Sequence, residues 1–326
     1  MSRPVLIVTV ALASYALFNI VCSIAVAIAW RSWLAKRAGA SATHRARTLI
    51  QLRSMPAVAS AAITTFAIVP VFAIFEPETT SEAAGPIVLA LALIAIVQAA
   101  AAGLIAAATT WRTHGAARTW LRSGVPLDVD PPAGVPAYVV NSLAPIVALV
   151  GVFKPKLVAA RSVIDACSVS EFNAIVAHER GHLHSRDNLK RWLMACAPDA
   201  LRWTPIHHEI ATAWHDAAED AADDAATTGD AASRVDLAQL IVKIARLAPT
   251  PAWREVTISP FVDPGGLNRR VRRLLVTDAP RTDARSSGWR SVTVLLVAVA
   301  VAAMTLEPST LERLYLATEA LIRFGR

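Results

Sequence analysis

The 326-residue chain is 55% hydrophobic and only 17% charged, with a mean hydropathy of +0.45. Its 13 Gly, 19 Pro and 3 Cys exclude collagen-like, disordered and disulfide-stapled classes, and the apolar excess is gathered in long runs no ordinary soluble globule needs. The net charge of +7 does not argue for a nucleic-acid partner: the bases lie beside the ends of apolar runs, where topology and anionic lipid account for them, and no zinc knuckle or RNP-type strand accompanies them.

Residues 5–29, 56–75 and 86–109 each lack Asp, Glu, Lys and Arg and are long enough to span a bilayer. The first is too long for a signal-peptide core, and most of its flanking bases follow it, only Arg3 preceding it. A basic loop at 31–54 carries Arg31, Lys36, Arg37, Arg45, Arg47 and Arg53, whereas 76–85 carries Glu76, Glu78 and Glu82 without a base. Arg112, Arg118 and Arg122 follow the third run. Positive charge stays on the cytoplasmic side, so the N-terminus is expected outside and the third span is expected to end inside. Trp30, Trp33, Trp111 and Trp120 read as an aromatic belt at the cytoplasmic ends.

Residues 112–136, with Gly, Pro and Arg, read as a linker, and 137–163 as two or three short strands punctuated by Pro145, Gly151 and Pro155. Ser168 with Glu171 forms a capping-box signal for a helix running into AHERGH. Further helices are expected over 188–197, from Thr204-Pro205 to a stop near Gly229, and over 234–247. A fourth, shorter span covers 291–306, after Trp289. The chain thus divides into three spans (1–110), a cytoplasmic domain (111–290), and a fourth span with a short outer tail (291–306 and on to 326). The fold class is a membrane α-helical protein of about four transmembrane helices carrying a cytoplasmic α+β domain.

The chemistry sits at His178-Glu179-Arg180-Gly181-His182. On a helix, residues four apart share a face, so both imidazoles can reach one zinc ion, with Glu179 beside them to take a proton from its water. Chance supplies such a pattern roughly 0.007 times in a chain of this make-up. A catalytic zinc site takes three protein ligands. The third falls on Glu219, which shares a helical face with Asp223, so one carboxylate can bind metal while the other orients an imidazole. His215, His207 and His208 are rivals, and His184 points away from the zinc face. The three cysteines have no CxxC spacing and read as small buried hydrophobes.

With HERGHLHSRDNL and EDAADDAA both in view, the chain resembles the BlaR/MecR-type integral-membrane zinc metallopeptidases, which are gluzincins. The likeness extends over three preceding spans, GVFKPKLV before the helix, Asp187 five residues past the second His, and LNRRVRRLL at 267–275. It implies a gluzincin-like zinc protease domain with one Zn²⁺ per chain. His178, His182 and Glu219 would be ligands, Glu179 the general base, Asp223 a second carboxylate and Asp187 a conformational anchor. The antibiotic sensors of that family carry a large outer penicillin-binding domain. Here about 20 residues follow the last span, so a signal is expected from a separate sensor subunit, the outer loop or the membrane. HtpX-like and CAAX-prenyl proteases share the motif, and a quality-control or processing protease of that kind is the alternative. In HtpX-like enzymes hydrophobic spans separate HExxH from the glutamate, where this chain has Arg186, Asp187, Lys190, Arg191, Asp199 and Arg202.

The expected activity is a zinc endopeptidase at the cytoplasmic membrane face. Its substrate would be a regulator such as a transcriptional repressor, or the chain itself, with one strand of 137–158 pairing with the substrate backbone. A non-catalytic membrane scaffold that keeps zinc for structure is the competing class.

Overall fold

A computed structural model describes residues 1–36, 40–77, 84–127, 134–142, 144–227, 230–247 and 266–276, with single positions at 312, 316 and 320. The fourth span expected at 291–306 lies outside the described residues.

Three helical segments are long and apolar enough to cross a membrane. They are α1 (Arg3–Lys36), α2 (Ala42–Ile63) continuing through a π turn (Thr64–Ile68) into α3 (Val69–Phe75), and α4 (Pro86–Ser123). The π turn directly precedes Pro70, which has no N–H to give the preceding turn, so the ladder rearranges there. Leu6, Val10 and Ala13 of α1 pack with Ile68, Val71 and Phe72 and with Val88 and Ala92 of α4. The outward faces keep Val8, Val21, Leu93 and Leu104 exposed, an apolar surface that lipid rather than water would cover.

Two expectations are corrected here. The basic stretch 31–54 is not a loop: α1 runs to Lys36 and α2 starts at Ala42, capped by Ser41, whose side chain accepts from the His44 N–H. Nor is 112–123 a linker. No proline interrupts residues 87–125, and α4 therefore continues until Trp120 and Leu121 can pack on Val140, Val150 and Val158 of the sheet.

The sheet has the order β1-β2-β4-β3, built from β1 (Val125–Pro126), β2 (Ala137–Val140), β3 (Val147–Val150) and β4 (Lys156–Ala160). β2 and β4 are parallel and the other pairs antiparallel. Three of these strands fall in the stretch expected to hold them, and β1 was not anticipated. α5 (Arg161–Ala166), also unanticipated, leads into α6 (Val169–Ser185), whose capping box is present in full. One face of the sheet meets α6 and α9 (Ala231–Arg246) through Val147, Leu149, Phe172, Ile175, Leu240 and Ile241.

Arg186 ends α6 in the left-handed region at φ 54°, and α7 (Asp187–Cys196) sets off at once in a new direction. A 3-10 turn (Ala200–Trp203) leads to α8 (Pro205–Ala226). Pro205 starts that helix, but Thr204 does not cap it, because its hydroxyl donates back to the Leu201 carbonyl at 2.7 Å. The last described helix is α10 (Leu267–Val276).

Side chains of the apolar helices hold the α7–α8 region. Tyr15 donates to the Pro198 carbonyl (2.5 Å), and Asn19 Oδ1 accepts from Ala200 N–H (2.8 Å). Arg53 is fully buried, paired with Asp199, and donates to His207 Nδ1 (2.9 Å) and the Met194 carbonyl (3.0 Å). Trp30 is no belt residue: it is buried, with Nε1 donating to Glu209 Oε2 at 2.8 Å.

Removing one half of a buried ion pair strands the other charge. Arg53→Met is therefore expected to destabilise the protein by about 3–5 kcal/mol, and Arg53→Met/Asp199→Leu by clearly less, in thermal unfolding of the detergent-solubilised chain.

Candidate metal site

α6 puts His178 and His182 one turn apart on the face turned to α8, and α8 brings Glu219 to them. The two helices can meet this closely because small residues face each other. A Cβ on Gly181 would stand 3.2 Å from Ala222 Cα, tighter than side chains normally tolerate. Gly181 is the fourth residue of the HERGH motif, and Ala222 lies between Glu219 and Asp223.

Ligand atoms of His178, His182 and Glu219 all lie within 4.8 Å of one another. The two Nε2 atoms are 3.1 Å apart, with Glu219 Oε1 3.4 Å from His182 Nε2 and Oε2 3.6 Å from His178 Nε2. A tetrahedral zinc ion with bonds of about 2.0–2.1 Å needs ligand edges of about 3.3–3.4 Å, so the spacing fits. The far side of each ring fits as well. His182 Nδ1 donates to Asp187 Oδ2 (2.8 Å), and His178 Nδ1 lies 3.0 Å from Asp223 Oδ1. With both Nδ1 atoms turned to carboxylates, the Nε2 lone pairs face each other, an arrangement that asks for a cation between them.

Glu179 stands apart from this group. Its side chain is buried under β3, where Oε2 accepts the Leu149 N–H at 3.1 Å. Burial pushes its carboxyl above the usual range, against the pull of His182 and His178. Glu219 is driven the other way: burial alone would raise it, but His182, His178 and Arg270 hold it well below the usual carboxylate range. Burial and neighbouring charges thus shift two carboxylates of one site in opposite directions.

β3 is an edge strand, and its ladder with β4 uses the Ile146 carbonyl, so Val147 and Leu149 turn their backbone groups outward. At Leu149 both are engaged. Glu179 takes the N–H, while Asn188 Nδ2 donates to the carbonyls of Leu149 and Gly151, each at 2.9 Å. A cavity of about 370 Å³ beside His182, Asp187 and Phe153 meets a second, of about 160 Å³, at Leu149 and Asn188. Arg112 and Arg191 line the second.

The acidic run of α8 is not a solvated face. Glu219, Asp220 and Asp223 are buried, and α10 answers them with arginines. Arg270 lies 3.1 Å from Glu219 Oε2 and donates to Asp223 Oδ2 (2.9 Å) and Oδ1 (2.5 Å). Arg273 pairs with Asp224, and Arg269 with Asp220 and Asp216. Sequence reading missed these arginines as site residues. The segment LNRRVRRLL at 267–275 carries part of the resemblance, but nothing in it assigns Arg269, Arg270 or Arg273 to the acids of α8.

The sequence-read residues His178, His182, Glu219, Asp223 and Asp187 are thus brought together, with Glu179 adjacent. The rivals go elsewhere: His207 to Arg53 and His208, while His215 is outside the triad and His184 is exposed. Compared with known proteins, the chain matches no family model and no curated protein.

Carboxylates behind metal-binding imidazoles typically govern affinity by 10–100-fold. Asp187→Asn and Asp223→Asn are each expected to weaken zinc binding by about that factor, measured by competition with a chromogenic chelator, while Asp236→Asn on α9 leaves it unchanged.

Proposed function

We propose that this chain is a membrane-embedded zinc endopeptidase of the gluzincin type, acting on a cytoplasmic or membrane-proximal protein in regulatory signalling. A transcriptional repressor or the chain itself is the substrate this reading favours. One observation carries it: three ligand side chains converge at metal-binding distances, and a separate buried carboxylate, Glu179, sits next to them without joining the group. Three protein ligands leave a coordination position for water, as catalytic zinc sites do, whereas a closed structural site calls for a fourth. His215 does not supply one.

A divalent ion held by these residues supplies Lewis acidity and brings the pKa of water toward neutrality. The chain's own part is proton transfer and positioning. Glu179, with its raised pKa, accepts a proton from the attacking water and returns it to the leaving amine. Leu149 N–H fixes the Glu179 carboxylate, and Asp187 fixes the His182 ring. An extended substrate would reach the outer edge of β3 at Leu149, which lines both cavities, by displacing Asn188. Arg191, half-buried on the adjoining cavity wall, is the donor set to polarise the scissile carbonyl.

The side of the bilayer follows from charge. Arg31, Arg45, Arg47 and Arg112 lie at the ends of the apolar helices that adjoin the metal group's domain, against Arg3 and Glu76 at the opposite end, and this excess of bases supports a cytoplasmic site with the N-terminus outside.

Glu179→Gln is the test. The variant is expected to keep about one zinc per chain and to cleave a co-expressed membrane-proximal reporter at least about 10²-fold more slowly. Full zinc with an unchanged cellular phenotype would instead favour a scaffold, and unchanged cleavage would remove Glu179 as the base.

A further inference from the structure

The turn between α7 and α8 is oddly served with hydrogen bonds. The end of a helix leaves carbonyls that water normally satisfies. Here side chains do it: the Met194 carbonyl accepts from Arg53, Ala195 and Ala197 from Arg202, Pro198 from Tyr15, and Leu201 from Thr204. The N–H groups are served likewise, Ala200 by Asn19 and Arg202 by Asp199. Asp199, the carboxylate within the turn, is paired with Arg53.

The position of these partners matters as much as their number. Tyr15 and Asn19 lie within the charge-free run 5–29, with Asn19 about 15 Å along α1 from the end of that run at residue 29. Beyond Asn19 the outward face of α1 stays apolar and exposed at Val21 (55%), Ile24 (56%) and Ile28 (64%), so the lipid-facing surface continues past the level at which the turn is held. Non-helical backbone is tolerated at bilayer depth only where protein groups satisfy it. On its outer side the turn shows Trp203 (65% exposed) and Leu193 (49%) rather than charge.

We infer that residues 193–204 form a re-entrant turn seated within the bilayer on the side of the metal group, touching lipid through Trp203 and Leu193. α7 then measures the depth of the site. Its ten residues span about 15 Å, from the turn to Asp187 beside His182, which sets the metal group close to the membrane surface. Under the peptidase reading proposed above, the substrate is accordingly a segment that lies against the membrane. The depth of the turn does not depend on that reading.

The test needs neither metal nor cleavage. Full-length protein with Cys22, Cys167 and Cys196 replaced is spin-labelled singly at Trp203→Cys and Leu193→Cys and reconstituted in phosphatidylcholine–phosphatidylglycerol vesicles. Leu17→Cys on α1 and Val235→Cys on α9 serve as lipid and water references. Electron paramagnetic resonance saturation then compares collisions with oxygen, which partitions into lipid, and with a water-soluble nickel chelate. Oxygen-dominated relaxation at 203, as at 17, is the expected result; nickel-dominated relaxation, as at 235, overturns the inference. Leu193→Cys carries the same two outcomes should the Trp203 variant fail to fold. Loss of Glu179-dependent cleavage alongside a lipid-seated turn, or the reverse, separates this inference from the peptidase reading.

Discussion

The close crossing of α6 and α8 is the constraint on which the site depends. Gly181 against Ala222 lets the two backbones approach until His178 and His182 from one helix meet Glu219 from the other. A Cβ at Gly181 would require Ala222 to give way by a few tenths of an ångström, on the helix turn that carries Glu219. The small residues therefore belong to the metal group as much as its ligands do, although neither has a donor atom.

Bringing so many carboxylates together in a buried place requires compensation, and the chain supplies it from two directions. From one side α10 lays Arg269, Arg270 and Arg273 along α8, and from the other α2 contributes Arg45 to Asp220. Arg270 contacts both Glu219 and Asp223, so it steadies a candidate ligand and the carboxylate behind another candidate, His178, at once. Several bases that sequence composition assigns to lipid and topology are thus spent inside the protein. Breaking one of these buried contacts leaves an uncompensated charge, which costs more than the pair itself contributes.

Much of this was legible in the sequence because it is local. The HExxH spacing, the Ser168–Glu171 capping box and the three apolar runs each follow from residues a few positions apart. The i, i+4 spacing of Glu219 and Asp223 likewise placed both on one helical face. What stayed hidden depends on distant contacts. Nothing near Arg270 announces Asp223, 47 residues away. Nothing near Tyr15 announces Pro198. The extension of α4 through 112–123 was missed because Gly and Arg there resemble a linker until Trp120 and Leu121 find the sheet. Trp30 resembles a membrane-belt residue until Glu209 is seen against it.

Metal stoichiometry tests the account most directly, read on detergent-purified wild type, Glu219→Ala and His215→Ala by elemental analysis. The account predicts about one zinc per chain in wild type, an equal content in His215→Ala, and loss in Glu219→Ala. Zinc retained without Glu219, or absent from wild type after reconstitution, would contradict it.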